Sequence, residues 1–285
     1  MIVVRLQGGL GNQMLQYAVG RQLASIHNTT LYLDLSWFNQ AQDAAFPREF
    51  KLDQFHTSYR LVNLQQLSWR LRFTSHLSFL NPFKLKNVRE SPAGGFDETI
   101  LNAGDHVLLE GFLNSYRYFE QIRPALLREF EPRKSLEQEN QECLQRILSC
   151  NAVSVHIRRG DYALTDFHGM LGIDYYEEAI QYMAQKVVAP IRLFIFSDEP
   201  EWVLANMHFN HPYEIISHNK DEKNYRDMQL MKHCKHNIIA NSTFSWWGAW
   251  LNENEEKMVV APGHWSNDQQ LKNENGLLLP GWITI

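Results

Sequence analysis

From residue 151 onward the chain alternates short apolar runs with helix-length segments, and this regularity constrains the possible folds more than any other feature. Apolar strands are expected at 152–157, 191–196, 213–216, 236–240 and 257–261, with helices at 174–188, 199–206, 223–233 and 243–253. Alternation of this kind implies right-handed crossovers and a parallel sheet covered on both faces, so the second half is expected to be a doubly wound domain. Asp174, just after Gly172, is the expected N-cap of the helix at 174–188.

Open sheets of this type bind ligands at the carboxyl ends of their strands, so the residues there carry the chemistry. In the first strand Val153, Val155 and Ile157 alternate with Ser154, His156 and Arg158, and the run continues into Arg159, Gly160, Asp161 and Tyr162. Two adjacent guanidinium groups at a strand end suit an anion, because the rigid fork of Arg matches phosphate. Asp161 is placed to hold one of them. A surface salt-bridge cluster is the structural alternative. The second strand ends in Ser197 and Asp198 before Glu199, Pro200 and Glu201, a composition suited to a helix's first turn. Asp198 is therefore either a cap or a ligand contact at the same edge as Arg158. The run from Ile238 ends in Asn241, Ser242, Thr243, Phe244 and Ser245. Capping needs one small polar residue, whereas several together with their backbone N–H groups suit phosphate oxygens. Trp246, Trp247 and Trp250 share a helix flank and are expected to pack in the core.

The first half opens with a strand at 2–6 that feeds a Gly-rich turn, Gln7-Gly-Gly-Leu-Gly-Asn12-Gln, and then a helix. A helix start after such a turn is an anion site. The dinucleotide fingerprint fails, because Met14 stands where its last Gly belongs, and no P-loop Lys follows. A purely structural turn is the alternative. Strands are expected at 31–34 and 106–112, and helices at 115–130 and 135–149, the latter at a domain boundary near residue 150. Residues 38–100 are irregular and punctuated by Pro47, Pro82 and Pro92. Aromatics at 59–83 with Arg60, Arg70, Arg72, Lys84 and Lys86 suit either a solvated face or weak peripheral contact with a membrane surface.

With 285 residues, 44% of them hydrophobic, the chain can bury a full core in one or two domains, and its net charge of −5 argues against a general nucleic-acid binder. Three cysteines without a C-x-x-C pair give neither a disulfide framework nor a zinc site. With no signal-like start or long apolar run, a soluble cytosolic protein is expected. No two aspartates stand two apart, so the Asp-x-Asp pair with which many transferases hold a divalent ion is missing.

The Gly-Gly-Leu-Gly-Asn-Gln start, the His156-x-Arg-Arg-Gly-Asp-Tyr element and the Ser242-Thr-Phe-Ser-Trp-Trp-Gly-Ala-Trp-Leu element, in this order, resemble the α-1,2-fucosyltransferases of glycosyltransferase family 11. The resemblance runs from Ile2 to about Trp265 and is weak from about 38 to 100. It implies a GT-B-like α/β fold of two Rossmann-like domains facing a cleft, 1–150 on the acceptor side and 151–285 binding the donor. It further implies inverting transfer from GDP-β-L-fucose to a galactose 2-hydroxyl, with no cofactor and no required metal.

Carried onto this chain, the resemblance places Arg158 on the β-phosphate and His156 at the nucleotide, with Gly11 and Asn12 contacting phosphate or fucose from the opposite domain. Asp198 would lie near the guanosine, while Asn241, Ser242, Thr243 and Phe244 hold the pyrophosphate and pack on the nucleoside. Arg159 and Asp161 would support the site. For the base that inversion calls for, Asp34, Glu110 and His156 are candidates, each with a structural alternative. The expected acceptor is a galactose-terminated glycan, lipid-linked at the cytoplasmic face of a membrane. A transferase of another sugar or linkage, and a nucleotide- or glycan-binding module without turnover, are the alternatives.

Overall fold

A computed structural model describes residues 1–39, 47–64, 85–91, 95–160, 169–265 and 276–285. They form two compact units, Met1–Lys134 and Ser135–Ile285.

The first unit is built on a parallel sheet of β1 (Ile2–Arg5), β2 (Leu31–Asp34), β3 (Arg60–Val62), β4 (Lys86–Arg89) and β5 (Val107–Glu110), in the order β3-β2-β1-β5-β4. Its central strands are buried apolar runs, as parallel strands covered on both faces must be. The edge strands β3 and β4 read Arg-Leu-Val and Lys-Asn-Val-Arg and are largely exposed. That polar composition is why this region gave no strand pattern. Helix α1 (Leu10–Ile26) follows β1 and buries Met14, Leu15, Tyr17, Ala18 and Leu23. Helices α2 (Glu98–Leu101) and α3 (Arg123–Glu129) also belong to this unit, α2 capped by the Asp97 carboxylate accepting from Thr99 N–H. The continuous helix expected at 115–130 is instead two 3-10 turns followed by α3. Pro124 explains the interruption, since it lacks an N–H and belongs in a helix's first turn.

In the second unit, helix α4 (Gln138–Leu148) precedes β6 (Ala152–Ile157), α5 (Ile173–Lys186), β7 (Arg192–Ser197), α6 (Pro200–Asn206), β8 (Tyr213–Ile216), α7 (Tyr225–His233), β9 (His236–Ile238), α8 (Thr243–Trp250), β10 (Val259–Ala261) and β11 (Ile283–Thr284). All strand pairs are parallel, and the order is β11-β10-β9-β6-β7-β8. In sequence rank this is 3-2-1-4-5-6, the Rossmann order, with its topological switch between β6 and β9. Alternate residues of β6 and β7 serve opposite faces. Val153, Val155, Ile157, Leu193 and Ile195 pack with Tyr176, Ala179 and Met183 of α5 and Val203 of α6. Ala152, Phe194 and Phe196 pack with Cys143 and Ile147 of α4 and Leu230 and Met231 of α7. Each such aliphatic side chain contributes roughly 1.5–3 kcal/mol on burial.

The unit boundary at Lys134/Ser135 lies earlier than the one expected near residue 150. The reason is the apolar stripe of α4, where Cys143 and Ile147 join the core of the second sheet. Asp174 is not the cap of α5, since Gly172 occupies that position and Asp174 sits in the first turn, where a carboxylate favours the helix dipole. Trp246, Trp247 and Trp250 are buried and in mutual ring contact, as expected of core residues. The three cysteines are free thiols. Among the described residues no helix is long and apolar enough to cross a membrane. The basic and aromatic run at 65–84 lies outside the described residues.

Candidate active site

The second unit gathers its charged and hydroxyl residues where the strand order reverses. Val155 of β6 is opposite Ile238 of β9, so Arg158 and Asn241 emerge at the same level from adjacent strands. The His156 ring lies 5.7 Å from the Phe244 ring, centroid to centroid, joining the end of β6 to the first turn of α8. His156 is buried and its Nδ1 has no hydrogen-bond partner among the described residues. Burial, reinforced by the Arg158 charge, pushes its pKa down to about 3, so the imidazole is neutral at any ordinary pH. Such a ring is a hydrogen-bonding group and a poor general base.

The two arginines are held by carboxylates from the neighbouring strand. Ile157 is in register with Ser197, which sets Arg158 beside Asp198, and the Arg158 Nη1 to Asp198 Oδ2 distance is 2.8 Å. The other oxygen of Asp198 accepts the Arg159 backbone N–H at 3.0 Å. Burial raises the Asp198 carboxyl, with the Arg158 charge opposing. A Cβ on Gly160 would come within 2.5 Å of Asp198 Oδ2, so the glycine that follows the arginines leaves room for this carboxylate. Arg159 donates from Nε to Glu199 at 3.1 Å, and its guanidinium lies 3.4 Å from the Trp202 ring centre. Asp198, Glu199, Trp202 and Met170, whose sulfur accepts from Arg159 Nη1 at 3.3 Å, thus support the arginines; Asp161, the expected support, lies outside the described residues. Sequence reading missed Trp202, whose only signal is its place two residues inside the helix after Asp198 and Glu199.

Beside them the loop into α8 is preformed. The Asn241 amide donates to the Gly169 carbonyl at 2.9 Å, and Ser242 caps α8 by accepting from the Phe244 N–H at 3.4 Å. Thr243 and Phe244 remain half-buried, with the positive end of an eight-residue helix behind them.

The first unit has its own strand-edge cluster at the switch between β1 and β5. Gly8 has φ +76° and Gly9 caps α1 in extended conformation without a side-chain bond, leaving Gly11 and Asn12 in the first turn. Gln16, buried, accepts from Gln7 N–H at 2.9 Å and donates to Gly111 O at 3.1 Å, tying the ends of the two strands together. Gln13 donates to Glu49 O at 2.7 Å and accepts from Lys51 N–H at 3.0 Å, which brings the segment with Arg48 to the turn. Gln13 closes the Gly-rich motif but was given no role from sequence, and Gln16 was not singled out, since a buried amide inside an apolar helix leaves no periodic trace.

Across the same edge runs a rung of alternating charge. Arg5 is in register with Asp34, and Arg89 with Glu110. Arg5 bridges Asp34, at 2.9 Å, and Glu110, which also accepts from Arg89 at 2.9 Å. Asp34 is fully buried and takes further bonds from the Ser36 hydroxyl and N–H. Arg5 and Ser36 thus hold the Asp34 carboxylate in place at the end of β2. Among the described residues no three His, Cys, Asp or Glu side chains are grouped as metal ligands.

Comparison with known proteins agrees with this architecture. The family model described as Glycosyl transferase family 11 matches residues 1–285. The chain is 33% identical to the O-antigen biosynthesis glycosyltransferase WbnK of Escherichia coli, over 98% of this chain and 99% of that one. It is 30% identical to an α-1,2-colitosyltransferase of Escherichia coli, over 96% and 95%. Among solved structures it is similar to fucosyltransferase NodZ from Bradyrhizobium, with a TM-score of 0.54, 15% identity and coverage of 87% and 90%. NodZ, an α-1,6-fucosyltransferase, has also been crystallised and soaked with GDP-fucose. The fold is GT-B-like, with a Rossmann-ordered second unit that carries Arg158 and the Ser242–Phe244 turn at its switch point, and the chain belongs to glycosyltransferase family 11.

Proposed function

We propose that this glycosyltransferase moves L-fucose from GDP-β-L-fucose to the 2-hydroxyl of a galactose residue, inverting the anomeric centre, without a metal ion. The observation that carries the reading is the pairing of a carboxylate-anchored Arg158 with the α8 helix start at the β6/β9 switch. A departing diphosphate develops charge there, and preorganised cations and N–H dipoles are the groups that stabilise it. Arg158 meets the β-phosphate, Ser242 and Thr243 offer N–H and hydroxyl donors, and Phe244 packs on the nucleoside. Neutral His156 supplies a fixed hydrogen bond to the nucleotide. Asp198 keeps Arg158 in place at the strand end near which the guanosine is proposed to lie.

Similarity to WbnK, an O-antigen biosynthesis glycosyltransferase, supports an acceptor among O-antigen precursors, and we propose that this acceptor is lipid-linked and reached from the cytoplasmic face. A colitosyl donor is the second reading, favoured by the 30% identity to a colitosyltransferase. GDP release from GDP-fucose, GDP-mannose, UDP-galactose and a GDP-activated colitose, each with a panel of β-galactosides, tests both. Turnover of GDP-fucose with a new linkage at the galactose 2-position is expected. Release only from another donor, or linkage at another hydroxyl, overturns the proposal.

A further inference from the structure

The loop after β5 holds an exposed aromatic ring on a backbone fixed at every position. Gly111 has φ +140° and Leu113, which is buried, has φ +56°. A Cβ at Gly111 would lie 2.6 Å from Glu90 Cβ. The Glu90 carboxylate accepts the Phe112 N–H at 2.8 Å and the Asn114 N–H at 3.1 Å. Ser115 N–H closes on Leu113 O at 2.8 Å, and Gln16 holds Gly111 O from the other side. Phe112 itself stays 43% exposed. Backbone strain of this kind persists only where the surroundings enforce it, and it concentrates at ligand clamps. Here the enforcing bonds present one phenyl ring to solvent, two residues past Glu110 and at the same sheet edge as the Arg5–Glu110–Arg89 rung.

We infer that Phe112 is the platform for the acceptor's galactose ring in the first unit, with the adjacent Glu110 and Arg89 facing its hydroxyls. The inference rests on the galactosyl acceptor proposed above. Three features favour a neutral pyranose over a charged ligand. The charges of Asp34, Arg5, Glu110 and Arg89 alternate and sum to zero, so the rung itself offers no net charge to an anion. Its carboxylates and guanidiniums are planar, paired groups whose remaining lone pairs and N–H bonds suit hydroxyl groups. Finally, the apolar face of a β-galactoside carries axial C–H bonds that meet the negative face of an aromatic ring.

The test compares wild type with Phe112→Ala and Phe112→Trp. It measures initial rates with varied galactoside, slow donor hydrolysis without acceptor, and the melting midpoint. Phe112→Ala is expected to raise acceptor KM about tenfold, the scale of losing one aromatic contact. Donor hydrolysis, donor KM and melting midpoint should stay at wild-type values, and Phe112→Trp should recover the acceptor KM. An unchanged acceptor KM in Phe112→Ala overturns the inference, as does a rise in donor KM of the same size. A wild-type enzyme that hydrolyses GDP-fucose yet modifies no galactoside refutes the acceptor reading itself. In that case binding of methyl β-galactoside, followed by saturation-transfer NMR, is still expected to weaken in Phe112→Ala, and its absence from wild type overturns the platform as well.

Discussion

Replacing Arg158 by Ala separates the roles of the arginine in catalysis and in folding. Arg158 and Asp198 are 2.8 Å apart, and their side chains are 23% and 24% exposed. At an effective dielectric of about 20, unit charges about 4 Å apart attract by about 4 kcal/mol. Desolvation and residual water offset much of this, and exposed pairs are worth only about 0.2–1 kcal/mol. A partly buried pair of this geometry should couple by about 1–2 kcal/mol. Arg158→Ala leaves the Asp198 carboxylate, already raised by burial, without its main counter-charge, so unfolding in urea should show that loss. Asp198→Asn in the same background should return most of it. Turnover follows a different pattern. Loss of one preorganised donor to the leaving group costs about 10²–10³ in kcat, and the second substitution restores none of it. Asp198→Asn alone should lower kcat less, because the cation remains but is less firmly placed. A double-mutant cycle of urea midpoints and of GDP-release rates gives both quantities. Near-normal kcat in folded Arg158→Ala removes the arginine from the leaving-group role, and strictly additive stabilities refute the anchoring.

His156 makes stability depend on pH. Its folded pKa is about 3 against an ordinary 6.5, so the unfolded chain takes up a proton that the folded one refuses. Stability from this group is complete above pH 6.5 and falls as the pH drops toward 3, by about 2 kcal/mol at about pH 5. In His156→Gln, acid titration of the urea midpoint should lose that component, and an unchanged acid slope contradicts the burial argument. Chelation with EDTA is expected to leave fucosyl transfer intact, measured by product formation; complete loss restored by manganese contradicts neutralisation of the diphosphate by protein groups.

What could be read from sequence follows physical lines. The strands β6 and β7 are buried and chiefly apolar, because both faces of a parallel sheet are covered, and β9 leads into the apolar Ile238, Ile239 and Ala240, so their positions were evident. Arg158, Asp198 and Ser242 stood out for the same reason, as polar residues ending apolar runs. Their pairing did not. Nothing local says that Asp198 reaches Arg158, since that contact depends on β6 and β7 being neighbours in a register that sets Ile157 opposite Ser197. The edge strands β3 and β4 carried no pattern, being short, charged and exposed. Gln16 and Glu90 escaped as well, because both act on the backbone of segments distant in sequence. Long-range partners of this kind belong to topology, and periodicity cannot reveal them.

The two sheet edges differ in how their charges are paired. Along the first edge, Asp34, Arg5, Glu110 and Arg89 form one alternating chain in which Arg5 and Glu110 each have two partners. At the second edge each arginine has its own carboxylate, Asp198 for Arg158 and Glu199 for Arg159, and the start of α8 adds the equivalent of about half a positive charge, as the start of α1 does at the first. Burial raises the Asp198 carboxyl while the Arg158 charge opposes that shift, so the pair holds each member in its charged form. A carboxylate that fixes the guanidinium in this way keeps the cation ordered before a donor binds, and preorganisation of that kind is what stabilises charge developing on a leaving group.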